Sequence, residues 1–294
     1  MKIVKSIKEL QNLIKVEKAA SKTIGFVPTM GYLHDGHLSL INRARHESDF
    51  VVVSIFVNPL QFGPNEDFDR YPRDLVRDTK LAKEAGADLL FCPDTKEMYP
   101  EKPVVTVKVH RRTDALCGKS RIGHFDGVAT VLTKLFNIVT PDKVYFGLKD
   151  AQQVAVVKGL VEDFNFPLEI IGCETKRESD GLAMSSRNVY LEENERKEAS
   201  HLSSVLRKAQ TWLLEDDSGE TEQKMIKYLE EQTSGTIEYC KILSYPELLS
   251  PTGFDEKLII AVSVRFSKAR LIDNMIIDNV LERKESGEES CSVH

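Results

Sequence analysis

The chain of 294 residues has no paired cysteines. Its five cysteines (Cys92, Cys117, Cys173, Cys240 and Cys291) lie far apart, are odd in number and form no CxxC pair. That excludes a disulfide framework or a zinc knuckle and points to a reducing compartment. Long apolar runs are also missing. The longest, "FVVVSIFV" (Phe50 to Val57), falls well short of the roughly 20 residues that span a bilayer. The opening segment "MKIVKSIKELQNLIKVEK" is charged throughout and lacks the apolar core and small-residue cleavage site of a secretory signal. The expectation is a cytoplasmic protein with no membrane partner. A basic excess is absent too: the formal net charge is -6 and the pI about 5.8. This argues against a nucleic-acid partner, while a few local cations would still serve a small anionic substrate. Neither HExxH nor GxSxG occurs, and His46, His110, His124, His201 and His294 show no ligand spacing, so no protein metal ligand is read. Internal repeats are missing as well.

What is present is alternation. Ser6 followed by Glu9 predicts a capping box opening a helix to about Ala20. Strands are predicted at Thr23 to Val27, Phe50 to Val57, Leu89 to Cys92, Lys143 to Gly147 and Leu168 to Gly172, and helices at His37 to Glu47, Arg73 to Ala85, Val128 to Asn137 and Asp150 to Phe164. Strands that are apolar on both faces and alternate with helices predict an α/β fold, a doubly wound parallel sheet covered on both sides. This domain is read as residues 1–177. After it come helices at Glu192 to Leu214 and Glu222 to Glu231, with strands in "IEYCKILSY" and "KLIIAVSVRF". They predict a smaller α+β lid over residues 178–282. The polar stretch at 283–294 is expected to be disordered.

Ligands of a doubly wound sheet sit beyond the carboxyl ends of its strands, and "PTMGYLHDGHLSL" (Pro28 to Leu40) follows the first strand there. Gly31 and Gly36 permit close backbone approach. His34 and His37, one turn apart at a helix start, suit a phosphate beside unpaired N–H groups. Exposed capping histidines or a metal pair are the alternatives for such a motif in isolation. "FVNPLQF" (Phe56 to Phe62) places Pro59 after the next strand, turning the neutral amides of Asn58 and Gln61 toward the strand ends. In "YFGLKDAQQ" (Tyr145 to Gln153), Lys149 can neutralise a phosphate, Asp150 can accept from ribose hydroxyls or simply cap the helix, and Gln153 lies one turn further. "DGLAMSSRN" (Asp180 to Asn188) supplies hydroxyls and a guanidinium on an interdomain segment. Asp78 and Asp88 are read as exposed helix or turn carboxylates.

These five segments, including "CGKSRIGHFDGV" (Cys117 to Val128), resemble in order and spacing the pantothenate synthetase (pantoate-β-alanine ligase) family, within the HxGH nucleotidyltransferase superfamily. The resemblance implies an AMP-forming ligase. It joins (R)-pantoate to β-alanine through a pantoyl adenylate, in vitamin B5 and coenzyme A biosynthesis, with ATP as a substrate and Mg²⁺ arriving with it. It implies an ATP site at Met30, Gly31, His34, His37, Gly147, Leu148, Lys149, Asp150, Lys176, Met184, Ser185, Ser186 and Arg187, and a pantoate site at Pro28, Met30, Asn58, Gln61 and Gln153. The catalytic set is His37, His34, Lys149, Ser185, Ser186 and Arg187, with "MSSR" resembling a KMSKS-type loop. A homodimer is implied as well. The chain departs from the family pattern at Ile122, Leu148 and Lys176. Rivals are an adenylyltransferase acting on a phosphate, against which the amides of Asn58, Gln61 and Gln153 argue, and a non-catalytic nucleotide sensor.

Overall fold

The computed structural model describes residues 1–64, 66–253 and 257–278. The stretch expected to be disordered, 283–294, lies outside the described residues. The chain divides into two compact units, Met1–Lys176 and the part from Arg177 onward.

The first unit runs β1 (Lys2–Val4), α1 (Ile7–Ala19), β2 (Ile24–Thr29), α2 (Asp35–Glu47), β3 (Phe50–Ile55), α3 (Leu75–Glu84), β4 (Leu89–Phe91), α4 (Thr95–Met98), α5 (Leu116–Ser120), α6 (His124–Val139), β5 (Lys143–Gly147), α7 (Ala151–Asp163) and β6 (Glu169–Cys173). Its six strands are ordered β1-β4-β3-β2-β5-β6 with every pairing parallel. The apolar runs make sense in this sheet because successive side chains point to opposite faces. Ile24 and Phe26, Val52, Leu89 and Phe91, Val144 and Phe146 pack into one core layer with Leu10, Ile14 and Phe136. Their neighbours Val27, Val51, Val53, Leu90 and Tyr145 pack into the opposite layer with Leu40, Ile41 and Ala82.

The sheet reverses direction at β2, which has β3 on one side and β5 on the other. Pairing of β2 with β3 continues to Thr29 opposite Ile55, whereas pairing with β5 stops at Phe26 opposite Val144. Pro28 has no N–H to continue that ladder. The carboxyl ends of β2 and β5 therefore part, which is where an open α/β sheet forms its ligand crevice.

Some local expectations fail. Ser6 stands at the N-cap of α1, but its side chain makes no cap bond; the Ile7 N–H instead donates to Glu97 Oε1 at 2.7 Å. Strand β1 was missed because only Val4 of its three residues is buried. Helix α6 begins four residues before the predicted start, at His124.

In the second unit α8 (Glu193–Glu198), α9 (His201–Trp212) and α10 (Ser218–Gln232) precede an antiparallel sheet of β7 (Thr236–Ser244), β8 (Leu258–Arg265) and β9 (Arg270–Ile277), in the order β7-β8-β9. Leu202, Leu206, Met225 and Leu229 pack with Cys240, Ile260, Val262 and Leu271. The single helix expected from Glu192 to Leu214 is two helices, joined where the Leu202 N–H reaches the Ala199 carbonyl at 3.1 Å, one residue short of the α-helical spacing. Strand β9 escaped prediction because a buried carboxylate, Asp273, interrupts its apolar pattern and takes a bidentate contact from Arg177 at 2.6 and 3.0 Å.

Candidate active site

The loop from β2 to α2 crosses the open end of the crevice. His34 is the N-cap of α2, and its Nδ1 accepts from the Gly36 N–H at 3.2 Å. His37 completes the turn by accepting the His34 N–H on its own Nδ1 at 3.3 Å. The half-buried rings lie 4.0 Å apart, centroid to centroid. With both Nδ1 atoms accepting, each neutral ring carries its proton on Nε2, the atom directed away from the backbone. Burial, and then the Lys149 ammonium, push the His34 imidazole down to about 4. Burial, the neighbouring His34 ring and Lys149 hold His37 well below its ordinary value. At neutral pH the pair therefore offers two N–H donors beside one lysine cation.

Lys149 and Asp150 sit in the short turn Leu148–Asp150 that joins β5 to α7, with Lys149 Nζ 3.7 Å from Asp150 Oδ1. Leu148 packs against the main core layer and against Gly172. It forms an apolar wall. Of the two glutamines opening α7, Gln152 is buried and donates to the carbonyls of Arg112 and Ala115 at 2.9 and 2.8 Å. The Gln153 carboxamide is half-buried and has no hydrogen-bond partner among the described residues. The exposed Lys176 ends the first unit.

The turn Pro59–Gln61 follows β3, and Gln61 Nε2 lies 3.3 Å from Met30 Sδ. Asn58 is tied into the scaffold in a way the sequence does not announce. Its side chain is fully buried and internally committed: Nδ2 donates to Gln61 Oε1 at 3.2 Å and to the Gly127 carbonyl at 3.1 Å. Its Oδ1 accepts from the Leu60 N–H at 3.3 Å and the Tyr99 hydroxyl at 3.0 Å. Asn58 thereby fixes the orientation of the Gln61 amide. The same turn is held from outside by the Gln61 carbonyl, 2.8 Å from His124 Nδ1. Arg121 Nη1 lies 3.0 Å from His124 Nε2, and Arg121 pairs with Glu66 at 2.7 and 2.6 Å. Because arginine only donates, His124 Nε2 accepts and its Nδ1–H donates to Gln61.

In the second unit, Arg177 and Ala183 bridge a tight turn through Gly181, whose φ is +91°. The Met184–Arg187 segment follows it. Ser186 is buried, Ser185 Oγ accepts the Arg187 N–H at 3.2 Å, and Asn188 Nδ2 anchors the segment to Glu178 Oε1 at 3.0 Å and the Ala183 carbonyl at 3.2 Å.

The first unit thus gathers His34, His37, Lys149 and Asp150 at one rim, with Met30 next to Gln61; Met184, Ser185, Ser186 and Arg187 form a separate anchored segment in the second unit. Asp78 was read as an exposed helix carboxylate and is 1 % exposed, accepting the Tyr32 and Leu33 N–H groups at 2.7 Å each. Its signal was a carboxylate on the stripe that continues to the buried Ala82 and Ala85. Asp88, half-buried, pairs with Arg45 at 2.6 Å.

A pH dependence of stability follows from the histidines. His34 and His124 are both lowered from 6.5 to about 4, by burial first and then by Lys149 and Arg121 respectively. The unfolded chain takes up protons at these sites from pH 6.5 downward while the folded chain does not, so stability is greatest above that value and falls as pH drops toward 4. Glu66, held below 4.5 by Arg121 against its burial, adds its loss only at the acid end. Thermal melting measured from pH 7.5 down to 5 should show a falling Tm; a flat profile there would mean the folded histidines titrate normally.

The Pantoate-beta-alanine ligase family model matches residues 2–276. A pantothenate synthetase of a Geobacillus species is 55% identical over 285 residues, covering 95% of this chain and 100% of that protein. The crystal structure of pantothenate synthetase from Thermus thermophilus superposes with a TM-score of 0.87 at 45% identity, covering 95% of this chain and 99% of that one. A pantoate-beta-alanine ligase from Francisella tularensis, solved in complex with beta-gamma ATP and beta-alanine, superposes with a TM-score of 0.78 at 35% identity over 94% of this chain and 97% of that one. With the HxGH turn at the switch point of the sheet and agreement along nearly the whole sequence, the chain belongs to the pantoate-β-alanine ligase family.

Proposed function

We propose that the chain condenses (R)-pantoate with β-alanine at the expense of ATP, giving pantothenate, AMP and diphosphate, as a step of vitamin B5 and coenzyme A biosynthesis. The observation that carries this reading is the pair of neutral imidazoles, each with Nδ1 satisfied by backbone, beside Lys149 at the crevice between β2 and β5.

In the first step a pantoate carboxylate oxygen attacks the α-phosphorus of ATP and the bond to the β-phosphate breaks, releasing diphosphate. In the second, the amine of β-alanine attacks the acyl carbon of the mixed anhydride, the bond to AMP breaks, and the ammonium formed loses a proton. Neither step uses a protein nucleophile. The protein contributes positioning and stabilisation of developing charge. The Nε2–H groups of His34 and His37 and the Lys149 ammonium meet the phosphate oxygens, and Ser185, Ser186 and Arg187 take the triphosphate tail. Met30, Gly31, Gly147, Leu148, Asp150, Lys176 and Met184 complete the nucleotide site, Asp150 toward the ribose. Pro28, Met30, Asn58, Gln61 and Gln153 form the pantoate site, Asn58 also fixing the Gln61 amide. Neutral amides suit this task because a cation paired with the carboxylate would blunt its nucleophilicity. Residues 1–177 are the ATP- and pantoate-binding domain, and a smaller α+β domain follows over 178–282.

Mg²⁺ would arrive with the triphosphate, held mainly by phosphate oxygens and water, and would supply neutralisation of the phosphate charge. The protein acts in the cytoplasm as a homodimer, and no helix among the described residues is long and apolar enough to cross a membrane.

The test is exchange of labelled diphosphate into ATP with and without pantoate, followed by addition of β-alanine. Exchange that requires pantoate, and AMP release that requires β-alanine, is the expected result. Exchange indifferent to the acid points to an adenylyltransferase, and nucleotide binding without exchange to a sensor.

A further inference from the structure

The turn that delivers His34 to its cap position is an improbable piece of backbone. Gly31 has φ +87° and Tyr32 φ +51°, so two consecutive residues are left-handed, the second bearing a bulky side chain. Such a conformation persists in a side-chain-bearing residue only when its surroundings impose it. Here successive N–H groups, those of Tyr32 and Leu33, converge on Asp78, one on each carboxylate oxygen, at 2.7 Å. Converging backbone N–H groups of this kind form an anion nest, and in this protein the anion is a side chain from α3, 46 residues further along the chain than Tyr32.

The surroundings leave little slack. Leu33 is fully buried, and a Cβ on Gly31 would meet Ile55 Cγ2 at 2.9 Å and Asp78 Oδ2 at 3.1 Å. Arg77, next in sequence, has its guanidinium 4.0 Å from Asp78 Oδ1 and lies over the Tyr32 ring at 5.1 Å. A carboxylate at this depth is costly unless its lone pairs are taken up. An apolar residue in its place would leave two buried N–H groups unsatisfied, and an amide would set its own NH₂ against one of them.

We propose that Asp78 is a positioning residue for the histidine pair, its carboxylate holding the left-handed turn that sets where the His34 and His37 Nε2–H groups point. The inference rests on the reading of those two imidazoles as the phosphate-facing donors. Asp78 acts through the backbone: it holds Tyr32 and Leu33, the following residue caps α2, and the cap N–H orients the His37 ring. Without the carboxylate the turn relaxes, the cap bonds to both Nδ1 atoms loosen, and the rings lose their fixed tautomer.

Asp78→Asn, which keeps the shape, is the first variant, and Asp78→Ser, which places no NH₂ against the nest, decides the matter on the same readouts if the first does not fold. Pantoate-dependent diphosphate exchange is expected to fall about 10-fold to 100-fold, the scale of a misplaced catalytic group, mainly in kcat and not in KM for ATP. The discriminating readout is the ring ¹⁵N spectrum. In the parent protein burial and the Lys149 ammonium push the His34 imidazole down to about 4, with Asp35, Asp150, Arg77, Lys149 and His37 as the charged and titratable groups around it. In the variants the ring resonances should show mixed tautomers and titrate closer to 6.5. A folded variant with normal exchange and unmoved ring resonances overturns the inference; so does lost activity with unmoved resonances, the signature of a general structural defect. His37→Ala measured alongside separates the two readings. If it exchanges normally, the donor reading itself fails; if it is crippled while Asp78→Asn is normal, the positioning role alone fails.

Discussion

Replacing His37 with alanine is expected to lower kcat for the pantoate-dependent half-reaction by roughly 10²-fold to 10³-fold, the usual loss for one donor aimed at developing charge. The ring is neutral at the pH of the reaction because burial, the His34 ring and Lys149 all disfavour its protonated form. Its contribution is therefore a fixed N–H dipole and not a charge. A fixed dipole gains most as the α-phosphate accumulates negative charge, so kcat should suffer more than KM for ATP. The truncation also removes the acceptor of the His34 N–H, now 3.3 Å from Nδ1, at a cost of about 1 kcal/mol typical of a lost cap. His37→Gln, whose amide can place an N–H near the Nε2 position, should recover part of the rate. Wild-type exchange in His37→Ala would remove the histidine from the chemistry.

Gly127→Ala is expected to be nearly as damaging although the residue is not among those assigned to the ligand sites. Gly127 lies in α6 against the turn after β3, where an added Cβ would overlap the Leu60 carbonyl group and stand 2.6 Å from Gln61 Cα. These are backbone atoms and cannot swing away. Overpacking of this kind costs typically 1–3 kcal/mol. The turn it displaces carries Gln61 and is tied back to the helix by Asn58, whose Nδ2 donates to the Gly127 carbonyl at 3.1 Å. A shift of about 1 Å in a substrate-orienting group can lower turnover by about 10²-fold, so kcat/KM for pantoate should fall far more than KM for ATP rises. Steady-state kinetics at saturating ATP together with a melting curve would check both halves. Unchanged kcat/KM for pantoate would mean that Gln61 does not hold the acid.

Much of the site was legible because its parts are local. A strand, a proline or glycine turn and a helix start stand within a few residues of each other at Pro28–His37, at Asn58–Gln61 and at Gly147–Gln153, and turn chemistry is written in adjacent residues. Asn58 shows what was not legible: its type and spacing suit a substrate amide, and nothing local announces that it is also tied into the scaffold. Whether an amide faces a ligand or its own scaffold depends on Tyr99 and Gly127, which reach it from distant segments. Asp78 misled for the same reason: a carboxylate one turn into a charged helix looks solvated until the Tyr32 and Leu33 N–H groups are brought to it.

By itself the sequence determined the alternation of strands and helices, the parallel sheet that this alternation requires, and the residue types at the strand ends, since periodicity and turn preference are properties of neighbouring residues. Tertiary structure alone decided which polar groups are turned inward as scaffold, which carboxylate holds the turn before α2, and how strongly burial disfavours the protonated imidazoles. Those outcomes depend on burial and on hydrogen bonds between segments tens of residues apart, and no local pattern encodes the partner that a buried group will meet.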